Sequence, residues 1–503
     1  MEKVDSSVSF HPELMIGLLH AVGTDSDRFI RDLQKSLERA SYTVEVIRVS
    51  SDVMSRMSGD NTPYKSEYDR INKMMDAGNK SRAEHGDSVL AQGVVANIYS
   101  RRLSSNETIQ PKQKAAFIIS SLKRPEEVEF LRVTYPSGFL LIGVHQSEQD
   151  RRQELTRKGL STEQVDRLLD RDADESEDPH GQRLRKTFHL ADFFIDLSSN
   201  QSQLACDIDR IVDLWFGNPF QTPTFDEHAM FMAFSSALRS ADLSRQVGAV
   251  VAKDKQILST GANDCPKAGG GLYWPDRHDG PCIRDLEDGR DYMRKDGDSN
   301  RAEQVRMINS IANSIGQKCN VDTKMVAACL EGSPIRDLTE FGRVVHAEME
   351  AILSCARNCV STVGATLYCT TFPCHNCAKH IVAAGIERVV YVEPYPKSKA
   401  LEFHDDSIAP PGTKSEQVNG RVRFEPFVGI GPRRFFDLFS MQLGSSYPLV
   451  RKNDESGQKI NWSIQDSRSR IQMAPRSYLD SETEAATLFL QSINAATGSG
   501  KSD

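Results

Sequence analysis

Apolar runs of strand length alternate with helix-period segments along the first part of the chain. Glu13–Leu19 (ELMIGLL) suits a buried strand, and the polar stretch Gly23–Asp27 follows it as a loop and helix start. Phe29, Ile30, Leu33 and Leu37 then recur at helical spacing, predicting one apolar helix face up to about Ala40. Thr43–Val49 alternates like a second strand. Lys114–Ser120 (KAAFIIS) and Gly138–Val144 (GFLLIGV) predict two more, with a proline-initiated helix at Pro125–Arg132 between them. Strand, loop, helix, strand is the unit that favours a parallel sheet, so this half is predicted to be α/β. Thr187–Asp196 returns to a strand-like pattern, Asp209–Phe216 looks helical, and Gly217–Thr224 carries the glycine and prolines of a linker. Beyond it, a helix over Ala347–Cys359 and a strand over Ala365–Thr371 begin a second α/β unit.

At 503 residues the chain exceeds the roughly 100–200 residues of an ordinary single domain. The predicted division is 1–216, a linker at 217–224, a second domain over 225–445 with an insertion at about 265–343, and an extension over 446–503. In that extension Ser481–Ile493 is helix-like, and Gly498–Ser502 mimics a fragment of a phosphate loop without a helix behind it. No run approaches the roughly 18–20 apolar residues of a membrane span, and Met1–Phe10 lacks an export-signal pattern, so a cytoplasmic chain is expected. A net charge of -8 argues against a chain-wide nucleic-acid surface while leaving room for a local basic pocket. All ten cysteines lie at or after Cys206, which suggests reduced thiols and metal ligands in the second half.

Two short segments carry the chemistry: Val345-His346-Ala347-Glu348 and Pro373-Cys374-His375-Asn376-Cys377. Cys374 and Cys377, three apart at a helix start, turn their sulfurs toward one point. His346 lies one helix and one strand earlier, so parallel neighbouring helices can bring an imidazole and two thiolates to one Zn2+. Three protein ligands leave a fourth position for water, the arrangement of a catalytic rather than a structural zinc. Glu348, two residues past the ligand, is free to move a proton between water and substrate. His-x-Glu with Pro-Cys-x-x-Cys is the signature of the zinc deaminases. Cys355, Cys359 and Cys369 read as core, and Cys265, Cys282 and Cys319 lie in the polar insertion, where a second zinc is the alternative to no site.

In layout the first half resembles the P-loop nucleoside and nucleotide kinases, including the LKRPEEVEFLR stretch after the third strand. Their phosphate loop needs backbone N–H groups at a helix N-terminus and a lysine. Here Gly17 and Gly23 are one residue too far apart, and Thr24-Asp25 stands where Lys-Ser/Thr belongs. Gly17, Gly23, Thr24, Asp25 and Ser26 are therefore either a degenerate nucleotide site or a structural remnant. Half of residues 151–186 are charged, with the signs balanced. That segment is either a solvated helical pair with a loop at Glu175–Gly181 or a mobile lid.

The second half resembles the deoxycytidylate deaminases over roughly residues 224–440. The likeness is carried by Ser240–Asn263, the H-A-E motif, GATLYCTTFPCHNCAKHIVAAGIERVVYVEPYP and KALEFHDDSI. It implies a cytidine deaminase-like α/β/α fold, Zn2+ on His346, Cys374 and Cys377, and Glu348 as the catalytic proton carrier. It also implies that Asn263 contacts substrate, against its alternative as a turn-forming residue. Ser244 and Arg245 are candidates for the substrate phosphate, or else surface residues. The whole layout resembles the bacterial antiphage dCTP/dCMP deaminases, which implies a deoxycytidine nucleotide substrate, a homo-oligomer, and a regulatory nucleotide or RNA at the first half. A polynucleotide deaminase is the rival class. The insertion after Asn263 is a substrate lid, a subunit contact or an RNA contact.

Overall fold

A computed structural model describes residues 12–58, 64–103, 111–173, 180–198, 200–277, 280–295, 297–338, 340–394, 398–413 and 415–471. The expected helix at 481–493, the 498–502 tail and most of the 175–181 loop lie outside the described residues. Within them no helix is long and apolar enough to cross a membrane.

Strands β1 (Leu14–His20), β2 (Thr43–Arg48), β3 (Ala115–Leu122), β4 (Phe139–His145) and β5 (Phe193–Asp196) form a parallel sheet in the order β5-β4-β1-β3-β2. Central β1 is buried along its whole length, as a strand covered on both faces must be. Its Gly17 sits mid-strand, where an added Cβ would fall 2.7 Å from Phe139 and 2.8 Å from Leu122. Packing accounts for that glycine, which stands in the sheet and not in the loop. Helix Ser26–Glu38 buries Phe29, Ile30, Leu33 and Leu37, the face that the spacing predicts. The strand expected over Thr187–Asp196 begins only at Phe193. The N–H groups of Leu190 and Ala191 bond to Thr187 and Phe188 carbonyls, so local turn bonds end the helix Leu184–Phe188 there.

The second sheet runs β10 (Ile408–Ala409), β11 (Val422–Pro426), β9 (Arg388–Glu393), β8 (Thr366–Thr371), β6 (Gly248–Lys253), β7 (Gln256–Ala262). The hairpin β6–β7 is antiparallel, β8 pairs antiparallel to β6, and β8, β9, β11 and β10 are parallel. Alternate residues serve opposite faces. Ala249, Val251, Leu367 and Val389 meet helices Ala347–Arg357 and His375–Ala383, while Val250, Tyr368 and Val390 meet helix Phe225–Ala237.

The two sheets share one core, which extends from Phe117, Leu141 and Phe194 through Phe427 to Val390 and Val392. The Phe194 and Phe427 rings meet edge-on at 5.6 Å. After Phe427 the chain returns to the first sheet, where β12 (Gly429–Ile430) pairs antiparallel with β5. Leu438, Ile464 and Ile471 then bury against Trp215 and Phe216. Buried Glu227 locks this seam, accepting from Arg210, from the Thr224 N–H and from the Ile430 N–H.

Candidate active site

Three short elements build the site. His346 caps the N-terminus of helix Ala347–Arg357, and Val345 before it is pinned to Asp264 by reciprocal backbone bonds of 3.0 and 3.3 Å. The insertion therefore leaves and re-enters the fold at one point, beside the zinc candidates. Cys374 caps helix His375–Ala383 at the end of β8, its sulfur accepting the Cys377 N–H. Both helices rest on the same face of the sheet, so their N-termini converge.

The His346 Nδ1 lies 3.4 Å from Cys374 Sγ and 3.3 Å from Cys377 Sγ, and the three ligand atoms fall within 4.8 Å of one another. Zinc bonds of about 2.3 Å to sulfur and about 2.0–2.1 Å to nitrogen, set tetrahedrally, need a sulfur–nitrogen edge of about 3.5 Å. The donor set and its spacing fit that ion. No other group of three such ligands occurs among the described residues, so Cys265, buried, and Cys282 and Cys319, exposed, do not assemble a second site.

The three side chains share charge among themselves. The Cys377 thiol and then the His346 ring hold Cys374 down to about 4, and Cys374 raises His346 to about 9. Cys377 is pushed the other way, by its bond to Cys374 and by burial. Glu348, 4% exposed, stands beside them, and burial lifts its carboxyl above the ordinary range. A carboxyl whose charged form is disfavoured by burial holds a proton more readily than a solvated one.

The remaining candidates lie on the loop before β6 and just past the end of β7. The Asn263 side chain spans the loop before β6, accepting from the Val247 N–H at 2.7 Å and donating to the Arg245 carbonyl at 2.9 Å. Its amide thereby holds the shape of that loop. Ser244 and Arg245 are exposed, their N–H groups held by Asp242, and the Arg245 guanidinium lies 3.6 Å from Glu393. Glu393 in turn accepts from the Thr371 hydroxyl. Inside the insertion, buried Arg290 approaches Asp264 at 3.4 Å and Asp285 at 3.3 Å. No sequence spacing announces this anchor, because its partners lie in a polar segment without periodicity.

In the first half, the backbone N–H groups of Thr24, Asp25 and Ser26 bond to Ala21, to the Gln146 side chain and to Thr24. Gly23 takes φ +82° against the Arg151 carbonyl, and Asp25 caps the helix after it. Near this loop Lys123, after β3, reaches the His20 carbonyl at 2.8 Å. Sequence spacing gives no sign of that, because the two residues meet only through the pairing of β1 with β3.

Residues 223–393 match the cytidine and deoxycytidylate deaminase zinc-binding region. The deoxycytidylate deaminase of Enterobacteria phage T4 is 32% identical over 174 residues, covering 33% of this chain and 77% of that protein. The deoxycytidylate deaminase of Mycobacterium phage D29 is 31% identical over 169 residues, covering 34% and 94%. The crystal structure of the cyanophage S-TIM5 dCMP deaminase with dCMP and dUMP aligns at 20% identity and TM-score 0.24, covering 41% of this chain and 99% of that one. The second half thus makes the protein a zinc-dependent hydrolytic deaminase. The chain belongs to the deoxycytidylate deaminase family.

Removing metal with a chelator is expected to abolish ammonia release, and added zinc to restore it, as measured on one protein sample before and after reconstitution.

Proposed function

We propose that the protein deaminates free deoxycytidine nucleotides, dCMP and/or dCTP, to dUMP and dUTP, and so depletes the deoxycytidine nucleotide pool in antiphage defence. The observation that carries this reading is the His346–Cys374–Cys377 triangle with a buried carboxyl, Glu348, two residues from the imidazole. In it His346, Cys374 and Cys377 hold zinc, which when bound brings the pKa of water down to about 7. Glu348 takes one proton from water and gives it to ring nitrogen N3, then takes the second from the hydroxyl formed at C4 and gives it to the leaving amine. Water adds at C4, the C–N bond breaks, and the products are the 4-keto base and ammonia. Burial of Glu348 keeps bulk water from competing for that proton. Arg245 and Ser244, exposed on the loop that Asn263 ties down, meet the substrate phosphate.

Product analysis with dCMP, dCTP and cytidine side by side tests this. Ammonia from a nucleotide and none from cytidine is expected. No ammonia from any cytosine nucleotide, with zinc present, sinks it. Release from an oligonucleotide but not from dCTP moves the protein to the polynucleotide class.

A second reading is favoured by the continuous core between the two sheets: the kinase-like half senses a nucleotide and gates the zinc half. It requires two sites and two states, and substitution at Gly23 or Thr24 is its first test, read as changed deaminase turnover.

A further inference from the structure

Open α/β sheets take ligands outside the carboxyl ends of the strands, where neighbouring strands send their connections in opposite directions. In the first sheet that point lies between β1, which leads toward β2, and β3, which crosses back to β4. His20 ends β1 there, Val22 and Thr24 follow it, and Lys123 follows β3.

A protein carboxylate fills the spot. Asp172, 1% exposed, comes from helix Thr162–Ala173. One of its oxygens accepts the Val22 N–H at 2.6 Å, and the other accepts Lys123 Nζ at 2.7 Å. Arg151 completes the surround, donating to the Val22 carbonyl at 3.3 Å and drawn electrostatically to Asp172. Two residues on from Val22, the Thr24 hydroxyl is buried and has no hydrogen-bond partner. A backbone N–H from the first sheet loop, an ammonium and a neighbouring guanidinium are the donors that a phosphate group takes.

The way this carboxylate is held distinguishes it from an ordinary core ion pair. Its helix, with helix Glu148–Arg157 before it, is attached through a small separate cluster: Leu155, Leu160, Val165, Leu168 and Leu169 around Met75. Satellite clusters of this size open more easily than the main core. A buried pair adds little net stability, yet removing one partner strands the other charge. Lys123 therefore needs an anion, but not this one.

We propose that Lys123, Arg151, the Val22 N–H and the Thr24 hydroxyl form a site for the phosphate group of a nucleotide, and that Asp172 occupies it as an internal stand-in that ligand displaces. This rests on the sensing reading above and is independent of the deamination chemistry, because its readout is binding. Displacement moves helices 148–157 and 162–173, which gives the kinase-like half its second state.

The test uses the full-length, zinc-loaded protein and two probes, ADP and inorganic pyrophosphate, by calorimetry. Asp172→Asn removes the competing charge, and both probes are expected to bind about tenfold more tightly than to the unaltered protein. Adding Lys123→Met to Asp172→Asn is expected to abolish that gain. Tighter binding of ADP alone assigns the site to a nucleotide, and equal gains with pyrophosphate assign it to the phosphate group by itself; both support displacement. Equal affinities in the unaltered and Asp172→Asn proteins, or a gain that survives Lys123→Met, overturn it. Should Asp172→Asn fail to fold, hydrogen exchange on the unaltered protein decides. Faster exchange over 162–173 with pyrophosphate supports displacement, and unchanged exchange overturns it.

Discussion

Glu348→Gln is expected to retain about one zinc per chain and to lose deaminase turnover by a factor of about 10²–10⁴, the usual contribution of a placed acid–base group. The amide keeps the size and burial of the side chain, so helix Ala347–Arg357 and the three ligands are undisturbed. What it cannot do is accept a proton and release it again, as the carboxylate must twice in one cycle. The loss should fall on kcat, with KM nearly unchanged, since the carboxyl serves the transition state more than the bound nucleotide. Metal analysis and ammonia release on the same preparation check both halves. Turnover above a tenth of the unaltered rate would remove Glu348 from the proton path.

The parts of this protein legible in its sequence are those set by short spacing. Cys374 and Cys377 share a helix turn, and His346 and Glu348 share another, so neighbouring residues fix their mutual geometry whatever the rest of the fold does. Strands β1, β3 and β4 were equally open to view, because continuous apolar runs are what double-sided burial demands. The hidden features all depend on pairing across distance. Lys123 reaches β1 only because β3 is its neighbour, and Asp172 reaches the same place from the charge-balanced segment 151–186, whose composition reads as a solvated surface. Arg290 meets Asp264 across the insertion in the same way. The return of the chain after Phe427 rests on the two-residue strand Gly429–Ile430, too short for any alternation to register. The turn at Leu190–Ala191 was masked by the apolar residues on either side of it.

Gly261→Ala tests the packing that holds the zinc helix in place. Gly261 lies in β7, opposite Ala249 of β6, with helix Ala347–Arg357 directly over it. A Cβ there would fall 2.1 Å from the Ala347 carbonyl oxygen and 2.6 Å from the Ala351 nitrogen. Both are backbone atoms, so no side-chain rotation relieves the contact and the helix itself must lift away by about 1 Å to regain van der Waals distance. His346 is joined to Ala347, and its lift separates Nδ1 from two sulfurs now at 3.3 and 3.4 Å. Metal sites tolerate only about 0.2 Å in their bond lengths. The variant is therefore expected to lose most of its zinc on dialysis, to lose activity with it, and to unfold about 3 kcal/mol or more easily, at the upper end for overpacking. Gly280→Ala, where an added Cβ meets nothing within 4 Å, is the matched control and should melt and bind zinc as the unaltered protein does. If Gly261→Ala keeps full zinc and an unchanged melting temperature, helix Ala347–Arg357 is not held against the sheet by that glycine, and the zinc triangle owes its geometry to the Asp264–Val345 bridge instead.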